Sequence, residues 1–164
     1  MHYLLDANVF IEAKNRYYSY DICPGFWDWL DQAQQTGNVA TITSIYDELA
    51  GKGDELSEWV EARNDGNWFI DVGDQPTQMA FADIAAYVTA SNYTMPAIGD
   101  FLGGADPWLI AKAKVIDATI ITHETFDSNA KRKVFIPNVC KQFGVSYMDT
   151  FTLLRNLSAS FVLA

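Results

Sequence analysis

The chain has few means of holding itself together covalently. Only two of its 164 residues are cysteines. Cys23 and Cys140 stand far apart, in neither metal-ligand nor thioredoxin spacing, so both are expected to be reduced, structural thiols of a reducing compartment. Long apolar runs are missing too. None approaches the roughly 18 residues of a membrane span, and Tyr3-Leu4-Leu5, with no basic segment before it, is too short for a signal peptide. The expected location is therefore the cytoplasm, with no membrane partner. Positive charge is scarce: 11 Lys and Arg face 21 Asp and Glu, for a net charge of -10. That balance argues against a protein that embraces nucleic acid through bulk electrostatics. It leaves room for acidic residues gathered around a cation, for an acidic surface that confers solubility, or for a local basic patch. Internal repeats and low-complexity segments are absent.

What is abundant is apolar and aromatic surface. Hydrophobic residues make up 49% of the chain, with five Trp, eight Tyr and ten Phe. This composition marks a globular protein, expected as a single domain over residues 1–164 that buries about two-thirds of its unfolded surface. A single core rarely absorbs so many aromatic rings, so some are expected at the surface or in an interface.

Punctuation along the chain alternates strand and helix. Tyr3 to Leu5 reads as a buried strand running into Asp6, and Val9 to Lys14 as a short helix with Asp6 or Asn8 as its cap. A polar-aromatic loop, Arg16 to Tyr20, precedes a helix that starts at Pro24, carries Phe26, Trp27 and Leu30 on one face and stops at Gly37. A short strand over Val39 to Thr41 leads into a helix through Leu49, and Asp54 caps the next helix. Trp68 to Ile70 is a further strand, and Pro76 opens a long helix to about Ala90. Residues 92–104 read as loop with one short helix. Asp106 at the cap and Pro107 at the first helical position begin a helix ending near Asp117. Ala118 to Thr122 is a buried strand and Val134 to Ile136 an extended piece. Pro137 to Phe143 is a helix, Val145 to Tyr147 a last strand and Asp149 to Leu157 a terminal helix. The alternation predicts an α/β three-layer sandwich, with a central parallel sheet of about four to five strands flanked by helices.

Four acidic residues share one context in that scheme. Asp6 ends a strand, Glu48 lies one turn into a helix that follows a strand, Asp106 opens a helix and Glu124 follows a strand. In a parallel sheet these places fall on the edge where ligands bind. For Asp6 alone a helix-capping role is as good a reading. Carboxylates so gathered need protonation or a cation, since a like-charge pair at 4 Å costs about 4 kcal/mol at an effective dielectric near 20. All-oxygen ligands select hard ions, Mg²⁺ or Mn²⁺ rather than zinc. Such a site suits hydrolysis of a phosphodiester by metal-activated water.

The motifs resemble those of the PIN-domain ribonuclease superfamily, which includes VapC-type toxins of toxin–antitoxin systems. Leu4-Leu5-Asp6-Ala7-Asn8-Val9 is similar to the opening signature, and Thr43-Ser44 with Asp47-Glu48-Leu49 to the second acidic motif. Ala105-Asp106-Pro107-Trp108-Leu109-Ile110-Ala111 is similar to the third motif, and Ile120-Ile121-Thr122-His123-Glu124 to the fourth. The Thr-His-Glu of the fourth motif and Ile136-Pro137-Asn138-Val139-Cys140 resemble one PIN-like branch in particular. The resemblance implies a metal-dependent endoribonuclease with Asp6, Glu48, Asp106 and Glu124 as catalytic metal ligands. It also implies that Asn8 and Thr122 orient ligands or phosphate, and that RNA is the substrate and an antitoxin protein a partner. The family usually carries Asp where Glu124 stands, and Asp127 is the alternative ligand.

Other residues enter as substrate contacts. Lys131, Arg132 and Lys133 follow Glu124 on the correct edge for a phosphate backbone, with Lys52 and Lys112 as further sources of positive field; a solvated basic turn is as good a reading of the run. His123 is a candidate general acid or substrate contact; His2 is expected to be inert. Tyr17, Tyr18, Trp27 and Trp29 suit base stacking, a core or an interface. The apolar tail from Leu157 suits docking on its own domain, on an antitoxin or on a second copy in a homodimer. Two other classes compete with the nuclease: a catalytically silent PIN-like module that binds a protein, and a phosphatase of the aspartate-nucleophile type. The phosphatase needs a second Asp where Asn8 stands.

Overall fold

The computed structural model describes residues 2–163. Its strands are short, and the three at the centre, β1 (Tyr3–Leu5), β2 (Val39–Ile42) and β4 (Thr119–Ile121), are buried at every position. β3 (Phe69–Ile70) and β5 (Tyr147–Met148) form the half-exposed edges. Strands buried on both faces are what a parallel sheet covered by helices requires. All pairings are parallel, in the order β3-β2-β1-β4-β5. The chain winds outward from β1 through β2 to β3, returns, and winds the other way through β4 to β5. The order therefore reverses between β1 and β4, the place where the carboxyl ends of strands leave a crevice. Leu4, Leu5, Ile42, Ile120 and Ile121 are fully buried there.

The helices lie where Pro, Gly and Asp punctuate the sequence. They are α1 (Ala7–Glu12), α2 (Pro24–Gln35), α3 (Thr43–Leu49), α4 (Glu55–Glu61), α5 (Gln75–Ala90), α6 (Met95–Leu102), α7 (Asp106–Ile116), α8 (Ile136–Phe143) and α9 (Thr150–Asn156). Asp54, Asp74 and Asp149 cap α4, α5 and α9, each accepting a backbone N–H three residues on. Gly37, with φ of 78°, follows α2 in the left-handed conformation that glycine adopts without steric cost. Among the described residues, no helix is long and apolar enough to cross a membrane.

Four local expectations shift. The helix predicted over Val9 to Lys14 begins two residues earlier, and a wider π-helical turn over Ala13–Tyr17 takes the start of the predicted loop. Asp106 is the first residue of α7 and Ala105 holds the cap position, so the Asp106 carboxylate is not spent on capping. Val134 to Ile136 forms no strand, because Ile136 already begins α8 with Pro137 inside its first turn. The last strand comprises Tyr147 and Met148, two positions later than its predicted start.

Candidate functional site

Asp6 leaves the end of β1 into the crevice between β1 and β4. It occupies the cap position of α1, yet its side chain makes no capping bond. Instead Thr122, at the end of β4, donates its hydroxyl to Asp6 Oδ2 at 3.0 Å, and both side chains are buried. The same Thr122 oxygen accepts the Glu124 N–H at 3.1 Å. One threonine thus ties the first acidic motif to the fourth. Burial pushes the Asp6 carboxyl up to about 7, helped by the charge of Glu124 and then of Glu48, against the Thr122 hydroxyl.

The other carboxylates are fixed by backbone. Glu48 reaches from α3 so that its Oε1 accepts the Ala105 N–H at 3.0 Å, just before α7. Glu124 Oε1 accepts the Ile136 N–H at 3.3 Å, at the start of α8. Among the described residues, neither glutamate's second oxygen accepts such a bond. Asp106 is pushed up to about 8, first by burial and then by Asp6, Glu124 and Glu48, with Lys133 opposing. Burial raises Glu124 as well, again against Lys133. The four carboxylates therefore share one electrostatic neighbourhood. Among the described residues, however, no three His, Cys, Asp or Glu side chains stand close enough to hold a single ion as they are placed. The donor set itself fits a hard divalent cation: four carboxylates and a hydroxyl, with neither a thiolate nor an imidazole shown among them.

Beside Asp106 lies a cleft of about 240 Å³ lined by Asp100, Phe101, Arg132, Lys133 and Val134. Arg132 and Lys133 thus bring positive charge to the acidic centre. Asp100, on α6, belongs to the same cleft; residues 92–104 read in sequence as loop with one short helix, and no motif there singles it out. Lys131 turns to the other side of its segment and lines a separate cavity. Asn8 is exposed, two residues beyond Asp6 in the first turn of α1.

The remaining candidates sit elsewhere. Asp127 is exposed, and its Oδ1 accepts the Asn129 N–H at 2.9 Å, closing a loop turn. His123 meets Thr150 Oγ1 through Nε2 at 3.1 Å and packs near Tyr17 and Phe151, toward α9. Lys112 is buried in an ion pair with Asp74 at 2.7 Å, so it is no free source of field. Trp27 is in the core and donates its indole N–H to Tyr18 O. From the tail, Phe161 packs against Tyr18, Phe26 and Trp29, while Val162 and Leu163 remain exposed.

A family described as a domain of unknown function, DUF4411, matches residues 3–161, from β1 through the tail. This chain belongs to the DUF4411 family. No curated protein matches it. Two solved structures share its architecture. VapBC2 from Rickettsia felis, solved bound to a DNA fragment from its promoter, superposes with a TM-score of 0.55 at 12% identity, over 91% of this chain and 98% of that one. FitAcB from Neisseria gonorrhoeae gives a TM-score of 0.51 at 17% identity, over 90% and 96%. At such identities the likeness concerns the fold: this DUF4411 protein is a PIN-like three-layer sandwich.

Proposed function

We propose that this protein is a divalent-metal-dependent endoribonuclease, a hydrolase of phosphodiester bonds, and the toxin of a toxin–antitoxin pair. The observation that carries the reading is the buried acidic neighbourhood at the sheet's reversal point. There burial and mutual repulsion hold Asp6 and Asp106 well above the ordinary carboxylate range. Such destabilised carboxyls are characteristic of sites built to do chemistry. Asp6, Glu48, Asp106 and Glu124 would hold Mg²⁺ or Mn²⁺. When bound, the ion supplies Lewis-acid polarisation of the phosphoryl group and a nucleophile derived from water.

The chain's own residues do the rest. Thr122 orients Asp6, and the Ala105 and Ile136 amides orient Glu48 and Glu124. Arg132 and Lys133 supply the charge that admits a phosphate beside carboxylates. RNA is the substrate and an antitoxin protein the partner by resemblance to the PIN superfamily; a homodimer rests instead on the apolar tail from Leu157, and the cytoplasm on the reduced thiols of Cys23 and Cys140. The test is cleavage of single-stranded RNA with Mn²⁺, with EDTA, and by Asp6→Asn and Asp106→Asn. Both substitutions and EDTA are expected to abolish cleavage. Activity that survives all three overturns the metal mechanism.

A second reading, a silent PIN-like module that binds a protein, is favoured by one observation: among the described residues, no three His, Cys, Asp or Glu side chains stand close around one ion. Calorimetric titration with Mn²⁺ separates the two. Failure to bind at millimolar concentration selects the silent module.

A further inference from the structure

Residues 122–135, between β4 and α8, form neither strand nor helix, yet they are pinned. Thr94, the cap of α6, donates its N–H to Lys131 O at 2.8 Å. Asp127 and Asn138 exchange two bonds: the Asp127 N–H reaches Asn138 Oδ1 at 3.1 Å, and Asn138 Nδ2 reaches Asp127 O at 2.8 Å. A segment held at both places presents its side chains to two sides. Arg132 and Lys133 line the Asp106 cleft. Lys131 lines a second cavity, of about 540 Å³, whose walls include Tyr87, Tyr93, Phe126, Asn138 and Lys141.

This cavity differs in character from the rest of the surface. Residues 128–148 contain Lys131, Arg132, Lys133 and Lys141 and no Asp or Glu, in a chain whose net charge is -10. Phe126 is 42% exposed despite its apolar ring, and Lys141 Nζ lies 4.5 Å from the centre of that ring. Two ammonium groups, an exposed aromatic face, two tyrosine walls and a side-chain amide in one cavity match the chemistry of a nucleotide. The bases stack on rings, and the phosphates meet cations. Lys131 and Lys133 are separated by at most about 7 Å of extended chain, on the order of a single nucleotide step.

We propose that the cavity walled by Tyr87, Tyr93, Phe126, Lys131 and Lys141 is a subsite for a nucleotide of single-stranded RNA, next to the one held at the Asp106 cleft. The proposal rests on the ribonuclease reading for its substrate, and binding tests it apart from cleavage. The Asp106→Asn chain is titrated with a fluorescein-labelled oligouridylate by fluorescence anisotropy. Phe126→Ala, and Lys131→Ala with Lys141→Ala, are compared in that background. Each is expected to weaken binding about tenfold, Phe126→Ala through the loss of one stacked base and the double lysine change through the loss of two phosphate contacts. The double lysine change is also expected to make the salt dependence shallower by about 0.7 per lysine removed. In the cleaving protein the Phe126→Ala penalty is expected in KM rather than kcat, and to be larger for a long oligomer than for a dinucleotide.

Unchanged affinity in both variants overturns the subsite. So does displacement of the oligouridylate by poly-glutamate at equal concentration, which assigns the cavity to an acidic peptide of a protein partner. Equal binding of duplex RNA overturns it as well, and equal binding of oligothymidylate widens the ligand to any single strand and removes the assignment to RNA. If binding depends on these residues and no cleavage occurs, the nuclease reading falls and the subsite stands. If cleavage occurs with KM unmoved, the reverse holds.

Discussion

Thr122 does the most with the fewest atoms. Its hydroxyl donates to Asp6 in a buried bond and accepts from the Glu124 amide in a half-buried one. Thr122→Val keeps the shape and removes both bonds, which leaves buried polar groups unsatisfied at about 1–3 kcal/mol. We expect a lower melting temperature and a loss of cleavage at least tenfold, with Thr122→Ser restoring most of both, as read by thermal melts and RNA cleavage.

The raised carboxyls make a prediction of opposite sign. Asp6 and Asp106 hold protons in the folded state up to about 7 and 8, whereas the unfolded chain releases them near 3.8. Between those values the folded state binds more protons, so the stability of the metal-free protein falls as pH rises from 5 to 8. Asp106→Asn removes part of that cost and is expected to raise the metal-free melting temperature at pH 8. Scanning calorimetry at the two pH values checks both statements, and a wild-type melting temperature that rises over this range counts against them.

At the scale of elements, α5 and α7 are joined by an ion pair whose lysine, Lys112, reads in sequence as a source of positive field. Asp74 caps α5 through Thr77 and also receives the Lys112 ammonium at 2.7 Å. The Lys112 hydrogen bond, with help from Thr77, holds Asp74 down at about 2. Because that folded value lies below the unfolded one, the contribution is present above about pH 4 and is lost as pH falls toward 2. Asp74→Ala strands a buried ammonium, whereas Lys112→Met replaces it with apolar volume. Asp74→Ala should therefore lower the melting temperature more, and urea titration of the two variants ranks them.

Most element boundaries were legible because Pro, Gly and Asp act through local backbone sterics and capping: Pro24, Gly37, Asp54 and Asp149 all stand where such rules place them. Val134 to Ile136 misled because a short apolar run has no period of its own. Its fate was settled by Ile136 and Pro137 entering the first turn of α8.

At the scale of the molecule, the acidic centre should couple stability to metal. An ion bound only by the folded state stabilises it by mass action, and here it would also relieve the repulsion among Asp6, Asp106 and Glu124. Millimolar Mn²⁺ at pH 8 is expected to raise the melting temperature of the wild type and to leave that of Asp6→Asn nearly where it was. Equal shifts in both place the ion elsewhere. The four acidic motifs, their order and their place after strands or at helix starts could be read directly, since each is a statement about neighbours in the chain. The fold class followed from the same alternation of periods. Only tertiary structure decided the strand order, which reverses between β1 and β4 and so sets Asp6 beside Thr122 across 116 positions of sequence. It also turned Lys112 inward to Asp74 and sent Lys131 and Lys133 to different cavities. Side-chain direction in an irregular segment depends on what pins its backbone. Those pins, Thr94 and Asn138, come from outside the segment itself.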